Sequence, residues 1–207
     1  MNHNFFHSYI WKSKVNYKNK NELIDIITKD FYENKNRLTS GWDCLVYSSY
    51  DEQENKNIPD EFMNIIENNF LKFLKNCPKD LRIKGQYSIS NVWYNVYEKN
   101  YFQEPHDHGQ SLFSGCYYLK FNKDIHHQTT FYNPNYNLDY KKIKDNSHFC
   151  NQINCEEDDI IIFPSNLKHG TSGMKEKKSD ELRITISFNI ENSDLCLNDQ
   201  SKKISYE

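Results

Sequence analysis

The sequence contains no alanine, and only Arg37, Arg82 and Arg183 are arginines, against 23 lysines. Glycine occurs six times and proline five times, while Asn, Lys, Ile, Tyr and Phe abound. An AT-rich coding sequence imposes this bias, so runs of Asn and Lys carry no functional signal. An arginine kept in such a background asks for a reason. No stretch approaches the roughly 18 apolar residues of a membrane-spanning helix, and the N-terminus lacks the apolar core of a signal peptide. These absences predict a cytoplasmic protein with no membrane partner. Cys44, Cys77, Cys116, Cys150, Cys155 and Cys196 show no CxxC spacing, and reduced thiols are expected. Excess positive charge is also missing: the net charge is −3 and the isoelectric point about 6.2. Both argue against a dedicated nucleic-acid surface built on a basic face.

A mean hydropathy of −0.92 would suit a disordered chain. Aromatic residues at 15%, with 15 Tyr and 13 Phe, point the other way, because disordered chains are poor in them. The 207 residues therefore read as one folded domain with its apolar mass in Tyr, Phe, Ile and Leu.

Residues 1–18 read as an extended arm. Leu23, Ile26, Ile27 and Phe31 recur at helical spacing and predict a helix over 21–33. A short strand is expected at 44–47. Pro59-Asp60 opens a second helix, whose stripe of Phe62, Ile65, Ile66, Phe70, Phe73 and Leu74 should pack on the domain's own sheet before Cys77-Pro78 ends it. After residue 82 β-branched and aromatic residues predict strands at 86–98, 112–121, 128–132, 159–163, 169–173 and 182–190. The segment 133–157 reads as a polar connection with one short strand. Helices followed by six or more strands predict a mainly β jelly-roll barrel braced by N-terminal helices. Residues 1–82 then form the arm and supporting helices, 83–191 the β core of the same domain, and 192–207 a polar, frayed tail.

Three constellations carry chemistry. In Pro105-His106-Asp107-His108-Gly109, side chains two apart on extended chain share a face, so His106 and His108 can converge on one ion while Asp107 faces away. A polar loop that happens to hold histidines is the blander reading. The second is the strand Asp159–Phe163, stopped by Pro164 and followed by His169, 61 residues beyond His108. The third is Arg183-Ile184-Thr185-Ile186-Ser187-Phe188-Asn189, which places Arg183, Thr185 and Ser187 opposite the apolar residues. If that polar face meets solvent, the strand is ordinary; if it points into a barrel, the guanidinium must meet an anion.

In order and spacing these motifs resemble the double-stranded β-helix oxygenases that depend on iron(II) and 2-oxoglutarate, above all a group found in bacteria and marine phages. The matching residues are Trp93-x-Asn95, His106-x-His108, Ser114-Gly115-x-Tyr117-Tyr118-Leu119, Phe163-Pro164-Ser165, His169 and Arg183-Ile184-x-Ile186-Ser187-Phe188-Asn189. They span about residues 88–191. The resemblance implies a double-stranded β-helix and a dioxygenase, a hydroxylase that couples 2-oxoglutarate decarboxylation to oxidation of a small molecule or a protein side chain. It also implies Fe(II), 2-oxoglutarate and O2 as cofactor and co-substrates. The family holds its metal by two His and one carboxylate. Here His108 stands in the carboxylate position, so His106, His108 and His169 are the expected ligands, with Asp107 an alternative only if a bulge re-aims it.

By the same resemblance Arg183 binds the distal carboxylate of 2-oxoglutarate, Thr185 fills the hydroxyl position beside it, and Tyr118 adds its own hydroxyl. Trp93 and Asn95 share a face that would line the substrate side, with plain core packing the blander role for Trp93. Two departures from the family stand out: Asp158 where glycine is usual, and a charged insertion at 174–181 that would turn Arg183 outward if it shifted the register by one. His126, His127 and His148 match no motif and read as exposed loop residues. Two other functions stay open: a cupin-like three-His metalloenzyme without 2-oxoglutarate, and a non-catalytic jelly-roll binding protein.

Overall fold

The structure, a computed structural model, describes residues 8–35, 44–50, 57–78, 85–133, 150–172, 174–175, 180–192 and 203–206. The barrel strands are β3 (Gly85–Tyr97), β4 (Gln103–His106), β5 (Phe113–Lys120), β6 (Thr130–Tyr132), β7 (Cys150–Gln152), β8 (Asp159–Pro164), β9 (His169–Thr171) and β10 (Arg183–Asn192). They form two antiparallel sheets, one containing the run β8-β5-β10-β3 and the other β4-β9-β6-β7. The fold is the expected double-stranded β-helix, and six of its strands lie close to the ranges read from the sequence.

Three further strands join the larger sheet. In the arm, β1 (Trp11–Lys14) pairs with β8, and Lys12 and Lys14 reach the buried Asp159 carboxylate at 3.5 and 3.3 Å. The stretch after residue 192, read as a frayed tail, includes β11 (Lys203–Tyr206), which pairs with β3. A short β2 (Tyr47–Ser48) also pairs with β3.

The helices α1 (Lys20–Glu33) and α2 (Asp60–Asn76) cover the outer face of the larger sheet. As expected, the α2 stripe packs on the sheet: Phe70 meets Tyr87 and Phe113 at 5.0 and 5.7 Å between ring centroids, and Phe62 meets Tyr117 at 5.3 Å. Alternation divides each strand between this core and the barrel interior. On β10, Ile184, Ile186, Phe188 and Ile190 join the helices, and on β5 so do Phe113, Tyr117 and Leu119. Tyr118, Phe121, Phe131, Ile161 and Phe163 build a second cluster inside the barrel. No helix among the described residues is long and apolar enough to cross a membrane.

Both departures are accommodated. Asp158 has φ of 71°, the left-handed region that glycine enters freely and Asp tolerates. Its carboxylate accepts the Tyr117 hydroxyl at 2.8 Å and pairs with Lys20 at 2.9 Å, so the acidic turn is structural. Arg183 stands opposite Tyr97 on β3 and is 4% exposed, so it is not turned outward, although the β10–β5 register shifts between Ile184 and Thr185.

Candidate active site

The β4–β9 pairing sets His106 directly opposite His169. Gly170 allows this: a Cβ there would lie 2.9 Å from the Gln103 carbonyl oxygen and 3.1 Å from the Glu104 backbone. His108 follows the end of β4, where its backbone N–H donates to the Ser165 carbonyl at 2.9 Å. One ring nitrogen from each of His106, His108 and His169 falls within a group whose atoms all lie within 4.8 Å of one another. Asp107 is exposed, with Oδ1 accepting the Gly109 N–H at 3.2 Å, and lies outside this group.

Each ring is oriented through Nδ1. His106 faces the Glu104 carbonyl at 2.9 Å, His169 the Leu167 carbonyl at 3.0 Å, and His108 the Asn189 amide oxygen at 2.7 Å. Carbonyl acceptors place the proton on Nδ1 and leave the Nε2 lone pairs for an ion, the arrangement usual around metal-binding histidines. The His108 Nε2 is buried and without a partner. Burial, with His106 adding to it, lowers the His108 pKa to about 4, and the same causes hold His169 well below its usual range. Three preoriented imidazoles, with His108 and His169 disfavoured from taking up protons, suit a divalent transition metal.

Behind the triad runs a narrow slot with a cavity volume of about 30 Å³. Arg183 lies at its inner end with Thr185 and Ser187 on the same strand face. Its Nη1 donates to Thr171 Oγ1 at 2.8 Å and its Nη2 to Thr129 Oγ1 at 3.1 Å. Tyr97 packs 4.7 Å from the guanidinium carbon, and Nε is buried with no partner. No carboxylate among the described residues lines the slot. A desolvated guanidinium held only by neutral groups is costly until an anion reaches it.

Tyr118 stands beside Arg183, its ring centroid 5.7 Å from the guanidinium carbon. Its hydroxyl donates to Thr129 Oγ1 at 2.8 Å, and the ring does not line the slot. Since Thr129 Oγ1 already accepts from Tyr118 and Arg183, its own proton is left to donate into the slot. Asn95 lines the slot with Nδ2 donating to Ser187 Oγ at 3.2 Å, whereas Trp93, 3% exposed, borders both the slot and an outer cavity. Trp93 belongs to neither apolar core cluster.

Thr129, Thr171 and Asn189 were not singled out from sequence as site residues. Thr171 shares parity with His169, and Asn189 with Arg183, so alternation could have found both. Thr129 precedes β6 in irregular chain and gives no such signal. Among the histidines read as exposed, His126 is buried: its Nδ1 accepts the Asn122 N–H at 3.0 Å, and its Nε2 lies 3.1 Å from the Glu181 carbonyl. His127 is part-buried, and His148 lies outside the described residues. No disulfide joins Cys44, Cys77, Cys116, Cys150 or Cys155, and Cys196 lies outside the described residues.

The double-stranded β-helix thus brings three histidines and a buried arginine together around one slot. Residues 91–189 match the model of the family described as "Putative 2OG-Fe(II) oxygenase". The match covers the strands that carry the site, just under half of the 207 residues. No curated protein sequence matches the chain. Among solved structures, HygX from Streptomyces hygroscopicus with nickel and 2-oxoglutarate bound has a TM-score of 0.58 at 9% identity, over 90% of this chain and 84% of its own. A Trichoplax adhaerens prolyl hydroxylase in complex with a hypoxia inducible factor peptide fragment gives 0.56 at 12%, over 93% and 87%. The viral collagen prolyl hydroxylase of Paramecium Bursaria Chlorella virus-1, as a 2OG complex, gives 0.53 at 14%, over 89% and 96%. At these identities the likeness is one of fold.

Proposed function

We propose that this chain is an Fe(II)- and 2-oxoglutarate-dependent dioxygenase that hydroxylates a small molecule or a peptide side chain. His106, His108 and His169 hold the iron through Nε2, and Arg183 with Thr185 receives the distal carboxylate of 2-oxoglutarate. The observation that carries this reading is the buried Arg183, whose Nε lacks a partner at the inner end of the slot that begins at the triad. The family match and the 2-oxoglutarate-bound neighbours support it.

Iron(II), when bound, supplies O2 activation coupled to decarboxylation of 2-oxoglutarate to succinate. The chain's own residues bind, orient and exclude water. Asn189 fixes the His108 ring, and its Oδ1 also accepts Ser114 Oγ at 2.9 Å, so that ring is anchored to the larger sheet. Thr129 and Thr171 hold the planar guanidinium fork in place, and Tyr118 acts through Thr129 as a positioning residue. The narrow slot keeps the carboxylate in direct contact with its donors, where low dielectric strengthens each contact. Three neutral imidazoles leave a divalent ion more positive than two imidazoles and a carboxylate would, which favours a dianionic co-substrate. A three-His enzyme without 2-oxoglutarate would have no use for Arg183 at that depth.

The test is aerobic incubation of the purified protein with Fe(II), ascorbate and 2-oxoglutarate. Succinate above a His106→Ala control supports the reading, since slow uncoupled turnover needs no primary substrate. No succinate over control, with metal bound, contradicts it.

A further inference from the structure

The outer cavity carries information on what the enzyme takes. It spans about 1030 Å³ including its opening to solvent, and His106, His108 and Trp93 separate it from the slot. Three carboxylate residues, Glu104, Asp107 and Glu191, line it, and no lysine or arginine among the described residues does. The Glu104 Oε2 has no exposed surface and no donor. An acceptor so placed is costly until a donor arrives, and an ionised one more so. Trp93 gives an independent sign: its side chain is almost fully buried, yet the indole N–H has no acceptor. Its ring stands edge-on to Tyr50 at 5.0 Å, an aromatic wall of the kind that favours cations.

We propose that the substrate carries a protonated amine or guanidinium, received by Glu104 and Asp107, beside a hydrogen-bond acceptor that takes the Trp93 N–H. The inference rests on the preceding reading for the existence of the active site and adds the substrate class. An anionic substrate meets like charge here. A neutral apolar one leaves the Glu104 oxygen unsatisfied, the kind of loss by which buried polar groups reject the wrong ligand. A competing role for these carboxylates is to offset the charge of an ion held by three neutral imidazoles, and the experiment separates the two.

Protein loaded with Ni(II) and 2-oxoglutarate is titrated calorimetrically with matched probes. Nα-acetyl-lysine methylamide against its norleucine counterpart represents a peptide side chain, and 1,5-diaminopentane against 1,5-pentanediol a free metabolite. The cationic member of at least one pair is expected to bind tenfold or more tightly than its neutral partner. Glu104→Gln should remove that preference while changing Ni(II) affinity less than twofold. If Glu104→Gln does not fold, Asp107→Asn at the exposed rim should cut the preference at least threefold. Equal affinities within both pairs, binding by no probe, or loss of Ni(II) affinity with the preference intact would overturn the proposal. Failure of 2-oxoglutarate itself to bind overturns the underlying reading and this inference with it.

Discussion

His106 and His169 face each other across the β4–β9 ladder, their ring centroids 4.5 Å apart. Their spacing follows from backbone pairing, whereas His108 reaches the group from the loop beyond β4 and is held by Asn189. Ligand geometry therefore depends on residues that are not themselves proposed as ligands.

Asn189→Leu should weaken Fe(II) or Co(II) binding by about 10- to 100-fold, as expected when a partner of a metal-binding histidine is lost. Asn189→Asp keeps an acceptor for the Nδ1–H and should restore most of the affinity. Metal titration of the two variants checks this; equal losses in both would show that the Asn189 oxygen does not orient His108.

Gly170→Ala should lower metal affinity about tenfold without unfolding the protein, because the added Cβ meets β4 backbone 2.9–3.1 Å away and pushes that strand from β9. The check is metal titration beside a thermal melt. Wild-type affinity would mean that β4 yields without separating His106 from His169.

The metal-free protein should lose stability as pH falls from about 6.5 towards 4. His108 has a folded pKa near 4 against about 6.5 unfolded, so in that window the unfolded chain takes up the proton that the folded one refuses. Above 6.5 both states are neutral and the effect vanishes. The contribution is on the order of 3 kcal/mol when fully developed. Thermal midpoints at stepped pH should fall more steeply for the parent than for His108→Asn; parallel slopes would contradict the assignment.

Cys116 and Cys155 should resist iodoacetamide in the folded protein at pH 8. Burial raises their pKa values to about 11 and about 12, leaving almost no thiolate. After denaturation without reductant all six cysteines should be alkylated. Fast labelling of either thiol in the native state would contradict this reading, and a count below six would reveal a bridge.

Strand alternation made much of the fold and site legible. Parity placed His106 with His108 and Arg183 with Thr185, and the structure keeps both pairs on the faces so assigned. The α2 stripe was readable because a period of 3.6 survives in a helix that packs on one side. What the sequence hid depends on pairing between distant segments. β11, Lys203–Tyr206, has only Ile204 and Tyr206 to announce it, and it exists as a strand because β3 offers it an edge. Tyr118 has the expected inward parity but stops at Thr129, a residue in irregular chain with no period to announce it. His126 looked exposed for the same reason: a loop sequence does not disclose that Glu181 folds over it.

A 2-oxo dicarboxylate is expected to bind between the histidine triad and Arg183. The most direct measurement is anaerobic titration of the Fe(II) protein with 2-oxoglutarate, following the weak visible charge-transfer band that appears when a 2-oxo acid chelates iron. A saturable band at one equivalent is expected. In Arg183→Lys, which keeps the charge but loses the fork, affinity should fall tenfold to a hundredfold, about 1–3 kcal/mol, with Fe(II) affinity unchanged. No band in the parent protein, or equal 2-oxoglutarate affinity in the variant, would contradict this binding.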